Sequence, residues 1–222
     1  MKATQSVGYT KVSKPILGVA LIFDIIGFTK FYNKPDIQHY ITGYLNHIIE
    51  CVEINFWGGD SYWFKTPGYD NLPALAITPS MKKFLGDGML YIWENNKQNS
   101  LSDNKFKFDL LNRIWNIQQH FGKINLRLLQ ELPNSDLPVG IKFGIAKGTI
   151  FKIKDKHGNV DYIGPCINMA SRLVKYCEQI NFIASSRFDI SKELLDKHRY
   201  IRVIAKDLRN FENEIVIIDK IV

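Results

Sequence analysis

A run of apolar residues that ends on an acid and then meets a glycine constrains this chain more than any other stretch. Val19 to Phe23 is apolar, Asp24 follows it directly, and Gly27 comes three residues later. The run predicts a buried strand from Leu17 to Asp24. A carboxylate at the end of a strand can hold a hard cation, because Mg²⁺ prefers oxygen ligands. Asp also favours turns for the sake of its own backbone hydrogen bonds, so this segment alone leaves both interpretations open.

A second acid stands in a matching position further along the chain. Asp87 precedes a glycine between two apolar runs, and an Asp-Gly pair in that setting predicts a β-hairpin, here from Met81 to Glu94. Two acids, each at the tip of a strand, could share a pair of divalent ions. Mg²⁺ and Mn²⁺ both suit such oxygen ligands, and the sequence leaves the choice between them open.

The composition fits one folded domain. The 222 residues are 45% hydrophobic, and the first fifteen lack the apolar segment of a secretory signal. No apolar run reaches the roughly 20 residues that span a bilayer. We therefore expect a flexible lead-in over residues 1–15, a cytoplasmic location and no membrane contact. The three cysteines, Cys51, Cys166 and Cys177, match no zinc spacing and predict free thiols.

The formal net charge of +7 suits a polyanionic partner. The lysines are scattered, however, and no predicted helix carries a basic stripe with interleaved aromatic residues, so nucleic-acid binding is not expected. A positively charged surface around a triphosphate pocket accounts for the charge better.

The remaining periodicity predicts an α+β domain over residues 16–222. The order β-α-β-β-α-β with added strands is a ferredoxin-like split βαβ plan, which gives a mixed sheet with helices on one face. Residues 56–80 lose the periodicity and combine Gly, Pro and aromatic residues, so we expect a long insertion there. Gly122 favours a break in the second helix. The expected helices are Asp36 to Asn55, Phe106 to Leu129, Pro165 to Tyr176 and Ser191 to Lys197, and the further strands are Gly140 to Ile153, Phe182 to Ser185, Tyr200 to Ile204 and Glu214 to Ile221.

Four motifs, in this order, resemble the catalytic domain of the class III nucleotidyl cyclases, the adenylate and guanylate cyclase family. They are FDIIGFT, KFLGDG, GIAKGTIF and YIGPCINMASRL, and the resemblance runs from Ile16 to the C-terminus apart from the insertion. It implies an enzyme that converts a nucleoside triphosphate to its 3′,5′-cyclic monophosphate and pyrophosphate with two divalent cations per site. It also implies an antiparallel two-fold homodimer, in which each site takes residues from both chains.

The resemblance assigns roles to individual positions. Asn168 and Arg172 are four residues apart and so share one helical face. The alignment of Arg209 is loose, so a surface arginine is an equally good interpretation of it. The metal ligands implied are Asp24, Asp87 and the backbone carbonyl of Ile25; the triphosphate ligands are Gly27, Phe28, Thr29 and Arg209; the catalytic residues are Asn168 for the ribose and Arg172 for the α-phosphate; and the base is read by Lys83 and Asp161.

The base is the most open part of the prediction. Lys83 and Asp161 match the adenylate cyclase pair, since Lys can donate to ring N1 of adenine and Asp can accept from the exocyclic amine. A stand-alone domain with DYIGPCINMASRL and FLGDGMLYIW also resembles the bacterial pyrimidine cyclases of the Pycsar anti-phage systems. Those enzymes make cyclic UMP or cyclic CMP, which activates a separate effector.

A pyrimidine is smaller than a purine, so the insertion could fill the base pocket, with Tyr62, Trp63 or Tyr69 stacking on the ring. We favour a pyrimidine cyclase, with an adenylate cyclase as the alternative and a guanylate cyclase behind both. An inactive binding or dimerisation module is the non-enzymatic alternative.

Overall fold

The structure is a computed structural model, and it describes residues 9–58, 76–96, 100–132, 136–180 and 183–220. Within these ranges the chain forms nine β-strands and five α-helices. The strands are β1 (Tyr9–Val12), β2 (Ile16–Ile26), β3 (Met81–Phe84), β4 (Gly88–Glu94), β5 (Gly140–Asp155), β6 (Val160–Ile163), β7 (Ile183–Ser186), β8 (Tyr200–Ala205) and β9 (Glu214–Asp219). The helices are α1 (Phe28–Tyr32), α2 (Ile41–Phe56), α3 (Asn104–Leu128), α4 (Pro165–Ile180) and α5 (Lys192–Lys197).

The strands form a mixed sheet in the order β3-β4-β2-β5-β7-β9-β8. The central strand β2 is antiparallel to both β4 and β5, whereas β7 runs parallel to β5. β5 is 16 residues long and continues past β2, where β1 and β6 pair with its outer part. This arrangement confirms the expected α+β class.

Helices cover both faces of the sheet, not the single face expected. α2 and α3 pack over the face that includes Leu21 and Phe23, while α4 packs over the face that includes Ala20 and Ile22. Successive strand residues point to opposite faces, so the unbroken apolar run in β2 is the pattern of a strand buried on both sides. The expectation of one face was wrong because the order of elements does not specify the face to which a helix returns.

A glycine allows α4 to lie directly on β5. A Cβ at Gly144 would lie 2.2 Å from the carbonyl oxygen of Ala170 and 2.5 Å from the backbone nitrogen of Val174. Further along β5, Cys166 packs over Gly148, 3.6 Å from where a Cβ would stand. α4 therefore begins near Gly148 and runs towards the end of the sheet that holds Asp24.

The β3–β4 hairpin is confirmed, but its Asp-Gly pair is not the turn. Gly86 supplies the positive φ, at 106°, and Gly88 belongs to β4. A Cβ at Gly88 would lie 1.8 Å from the carbonyl oxygen of Phe23, so glycine is required there by the close approach of β4 to β2. That approach sets Asp87 beside the end of β2.

Two helices, α2 and α4, differ from their expected bounds by more than two residues. α2 begins at Ile41 and not at Asp36, because Pro35–Ile37 form a separate 3₁₀ turn. Ile37 is nonetheless fully buried, so its helical spacing reflects a place in the core. Gly122 does not interrupt α3, and α4 extends to Ile180.

The lead-in and the insertion are described only in part. Tyr9–Val12 form β1 against β5, so the expectation of a flexible segment over residues 1–15 was wrong for these residues. Residues 59–75, with Tyr62, Trp63 and Tyr69, lie outside the described residues. The residues on either side of this segment are hydrogen-bonded to each other: the Ile77 N–H donates to the Phe56 carbonyl oxygen at 2.7 Å.

All three cysteines are buried thiols outside any disulfide, as the sequence predicted. None of the helices in the described ranges has the length and apolar character needed to cross a membrane.

Candidate functional site

Asp24 and Asp87, here called the acid pair, lie together at one end of the sheet. Asp24 is the register partner of Gly88, and the Ile25 N–H donates to the Asp87 carbonyl oxygen at 3.2 Å. Burial raises the pKa of the Asp24 carboxyl above its usual range; the hydrogen bond from Lys142 lowers it, and the nearby Asp87 charge raises it further. A carboxylate whose pKa is raised by a second carboxylate lies close enough to it for the two to share a cation.

The donor set of the acid pair fits a hard divalent cation. Within the described ranges no group of three or more His, Cys, Asp or Glu side chains could hold a metal. An ion here would therefore take one or two carboxylates, backbone oxygens and the oxygens of a substrate, which is how Mg²⁺ is usually held. Ile25 follows Asp24 in β2, so its backbone carbonyl lies at the same end of the sheet.

Lys142 forms a mostly buried ion pair with the acid pair. Its Nζ lies 2.8 Å from Oδ2 of Asp24, and the residue is only 5% exposed. The two residues are register partners on β5 and β2, so their side chains extend from the same face. The sequence analysis missed Lys142, although a lysine within an apolar central strand is itself a signal, because lysine is rarely buried without a partner.

The turn after β2 leads into α1 beside the acid pair. Gly27 is the N-cap residue, with a left-handed φ of 85°. The first N–H groups of a helix lack acceptors within the helix. Phe28 is buried against Tyr44, which leaves only its backbone to meet a ligand, and Thr29 is exposed. A cavity of about 370 Å³ is lined here by Phe28, Thr29, Tyr32, Gly86 and Asp87.

A second cavity, of about 400 Å³, gathers positive charge. Arg172 and Lys175 of α4 line it together with Lys206 and Arg209 from the loop after β8. We call it the cation cavity after these four residues. Asp207 is the single acid among its lining residues, and within the described parts of the chain none of the four cations forms a salt bridge.

The cation cavity includes two of the residues predicted from the sequence and two that the analysis missed. Arg172 and Arg209 were predicted, and the structure brings them into one cavity. Lys175 lies one turn after Arg172, so helical spacing could have found it. The position of Lys206 in the cavity depends on the path of the loop, in which Asp207 has a left-handed φ of 59°. No pattern in the sequence indicated that path.

Asn168 is exposed on α4 but lies far from the acid pair of its own chain. Cys166 packs over Gly148, which is the register partner of Gly18, six residues before Asp24 on β2. Six residues of antiparallel strand span about 20 Å, and two residues of helix advance only about 3 Å. Asn168 is therefore more than about 10 Å from Asp24 along the sheet. The cavity beside Asp87 and the cation cavity also share no lining residue.

The structure brings the two predicted base-reading residues together. Nζ of Lys83 lies 2.5 Å from Oδ2 of Asp161, and the two side chains are 50% and 25% exposed. The neighbouring Lys82 pairs with Glu53 of α2 at 2.9 Å, on the opposite face of β3. The alternation of strand side chains therefore identifies Lys83 as the lysine that faces Asp161.

The β5–β6 hairpin holds Asp161 in place. The Tyr162 N–H donates to Oδ1 of Asp161 at 2.8 Å, and the Tyr162 hydroxyl donates to Oε1 of Glu94. Lys152 pairs with Glu94 at 2.6 Å. Burial alone would raise the pKa of Glu94, but the hydrogen bonds from Lys152 and Tyr162 lower it below its usual value, which keeps this anchor charged.

No protein-family model matches this chain, and no curated protein sequence is significantly similar to it. Solved structures are similar in fold. The guanylyl cyclase Cya2 superposes with a TM-score of 0.60 at 15% identity, over 96% of this chain and 93% of that one. A bacterial light-regulated adenylyl cyclase gives 0.59 at 13% identity, over 94% of this chain and 52% of that one. The guanylate cyclase domain of RhGC from Catenaria anguillulae, in complex with GTP, gives 0.53 at 13% identity, over 93% and 98%.

The chain has the fold of the adenylyl and guanylyl cyclase catalytic domains. This cyclase fold confirms the fold that the four motifs predicted, and the chain spans about half the length of the light-regulated enzyme. At such identities the similarity establishes the fold alone. The roles of the site residues therefore depend on the geometry of this chain.

Proposed function

We propose that this protein is a nucleotidyl cyclase, which converts a nucleoside triphosphate to its 3′,5′-cyclic monophosphate and pyrophosphate. One observation carries the proposal: a cyclase fold presents an acid pair at one end of the sheet and a separate cavity lined by four cations. A triphosphate with divalent metal ions needs both kinds of surface, since carboxylates hold the metal ions and cations neutralise the phosphates.

Each group has a separate task in the proposed reaction. Asp24, Asp87 and the carbonyl of Ile25 would hold two divalent cations, Mg²⁺ or Mn²⁺, which when bound would lower the pKa of the ribose 3′-hydroxyl and neutralise charge on the triphosphate. The backbone N–H groups from Gly27 to Thr29 hold phosphate oxygens. The other groups act from the α4 side: Asn168 orients the ribose, Arg172 neutralises charge on the α-phosphate, and Arg209, Lys175 and Lys206 hold the remaining phosphates.

Positioning and charge neutralisation suffice for this chemistry. Phosphoryl transfer has little covalent work for the protein to do, so no nucleophilic side chain is required. The 3′-hydroxyl attacks the α-phosphorus of the same nucleotide, and pyrophosphate leaves. Fixing the ribose against the α-phosphate therefore accounts for the need for Asn168 and Arg172.

We propose that each site forms between two copies of the chain. Asn168 is more than about 10 Å from Asp24 within one chain, and the two cavities share no residue. A two-fold axis that sets the cation cavity of one chain against the acid pair of another would make two equal sites. We therefore include an antiparallel homodimer in the proposal and expect a monomer to be inactive.

We further propose that the base is a pyrimidine, with adenine as the alternative. Lys83 and Asp161 offer a donor beside an acceptor. That pair suits N1 and the amine of adenine, but cytosine presents the same edge through N3 and its amine, and uracil presents the reverse order. The pair therefore does not favour the purine over the smaller base. The insertion rejoins the chain shortly before β3, the strand that carries Lys83.

The cyclic product would act as an anti-phage signal through a separate cyclic-nucleotide-binding effector. This part of the proposal comes from the resemblance to pyrimidine cyclases of defence systems. In bacteria challenged with phage, cells with the wild-type protein should accumulate the cyclic nucleotide and survive as a population. Cells with Asp24→Asn should do neither.

Incubation of the purified protein with all four ribonucleoside triphosphates tests the function. The reactions contain Mn²⁺ or Mg²⁺, and the products are separated by mass. Cyclic UMP or cyclic CMP is the expected product, and cyclic AMP would establish the adenylate alternative. If no triphosphate is turned over by a folded dimer with either metal, the enzyme proposal fails and a binding or dimerisation module remains.

Replacing residues 59–75 by a short Gly-Ser linker tests the role of the insertion. The linker can close the gap because the Ile77 nitrogen and the Phe56 oxygen are 2.7 Å apart. A pocket-filling insertion predicts that the shortened protein accepts purine triphosphates better than the wild type. An unchanged preference among the triphosphates would show that the insertion has no part in base selection.

A further inference from the structure

We propose that Lys142 is a built-in competitor of divalent cations at Asp24, so that metal binds tightly only together with the negative charge of a polyphosphate. This inference rests on the proposed function in placing metal at the acid pair. It gives Lys142, which the proposed reaction does not use, a part in setting metal affinity.

Lys142 is held against Asp24 by the fold. Its Nζ is 2.8 Å from Oδ2, its side chain is only 6% exposed, and its backbone is the register partner of Asp24. The Cys177 thiol on α4 donates to the carbonyl oxygen of the adjacent Phe143 at 3.0 Å, so α4 covers this part of β5. The ammonium group therefore has little freedom to leave when a metal ion arrives.

The local charge explains why this matters. Among the described residues, the charged groups that act on Asp24 are Asp87 and Lys142, so the acid pair with its lysine has a formal charge of −1 instead of −2. A divalent ion beside Asp24 meets an ammonium group a few ångströms away, and like charges repel strongly at that distance in a partly buried site. One of the two carboxylate oxygens of Asp24 is also occupied by Lys142.

A nucleoside triphosphate changes this balance. It brings several negative charges that offset the ammonium group, so metal and triphosphate each raise the affinity for the other. Because coupling of this kind is reciprocal, the free site would remain poorly loaded with metal until substrate is present. Lys142 is a positioning residue in this account, since it acts through Asp24 and not on the substrate.

Another role for Lys142 makes a different prediction. If the lysine only neutralises a partly buried carboxylate for stability, its removal would destabilise the fold and leave metal affinity unchanged or weaker. If it competes with metal, removal of its charge would tighten metal binding. Metal affinity without nucleotide therefore separates the two roles.

The experiment measures Mn²⁺ binding to the purified protein without nucleotide, by electron paramagnetic resonance of the free ion. Lys142→Met and Lys142→Gln should bind Mn²⁺ at least about tenfold more tightly than the wild type. Lys142→Gln keeps a hydrogen-bond donor without the charge, and gives a second variant if the first does not fold. Lys142→Arg keeps the charge and should stay close to the wild type. Lys147→Met, on the same strand but the opposite face, is the matched control and should change nothing.

The gain must depend on Asp24. Adding Asp24→Asn to Lys142→Met should remove it. Equal or weaker Mn²⁺ binding by both uncharged variants, or a gain that survives Asp24→Asn, would overturn the inference. Turnover is not part of this measurement, so an inactive wild type whose Lys142 variants gain Mn²⁺ affinity through Asp24 would end the proposed function and leave this inference standing.

Discussion

The acid pair and the cation cavity differ in how the fold balances their charge. Asp24 is paired within the chain, since Lys142 lies 2.8 Å away. The four residues of the cation cavity form no salt bridge within the described parts of the chain, and a single acid stands among them. A buried charge needs a partner in the same molecule, whereas water stabilises exposed cations until an anion binds them. Asp24 therefore has its counter-charge within the chain, whereas the charge of the cation cavity suits an anionic ligand.

The largest effect should come from the acid pair. Asp24→Asn removes a charged metal ligand and is expected to lower the turnover of nucleoside triphosphate at least about a hundredfold. Initial rates with Mn²⁺ measure this. Asp36→Asn, at an exposed acid in the 3₁₀ turn, is the control and should retain full activity. A variant at Asp24 with near wild-type rates would show that the acid pair is not where the metal acts.

The cation cavity should show a smaller, additive effect on phosphate binding. The double variant Lys175→Ala with Lys206→Ala removes two charged donors and should weaken tripolyphosphate binding about tenfold or more, as measured by calorimetry. Lys192→Ala, at an exposed lysine on α5, should bind like the wild type. If the double variant bound tripolyphosphate as tightly as the wild type, phosphate binding in this cavity would depend on Arg172 and Arg209 alone.

The packing of α4 against the sheet, on which the place of Arg172 depends, has its own test. Gly144→Ala would force a methyl group to within 2.2 Å of the Ala170 carbonyl oxygen and should cost about 1–3 kcal/mol in the free energy of unfolding. Gly122→Ala, exposed on α3 with open space around it, should instead stabilise the protein by about 0.5–1 kcal/mol. Chemical denaturation measures both. Equal effects from the two would contradict the close contact of α4 with β5.

The acid pair was easier to predict from the sequence than the cation cavity. Asp24 and Asp87 each follow or precede an apolar run, so local pattern marked both as strand ends. The four motifs predicted the fold because they cover the central strands and α4 in order. The resemblance assigned both Lys83 and Asp161 to base reading, and the structure brings these two residues together although they are far apart in the chain.

The features that the sequence did not reveal depend on long-range geometry. The face on which α4 lies follows from Gly144, whose role shows only when the helix is in place. Lys142 meets Asp24 through the register of β5 with β2, and no local pattern encodes that register. Ile37 kept the spacing of a helix because the core needs it, although the chain there forms a 3₁₀ turn.

In the proposed homodimer, one active site takes the acid pair from one chain and the cation cavity from another. Mixing two inactive variants, Asp24→Asn and Arg172→Ala, tests this shared site. Random exchange of chains makes half of the dimers mixed, and each mixed dimer holds one intact site of two, so activity should return to about a quarter of the wild-type value. A mixture that stays as inactive as its parts, although chain exchange is complete, would contradict the shared site.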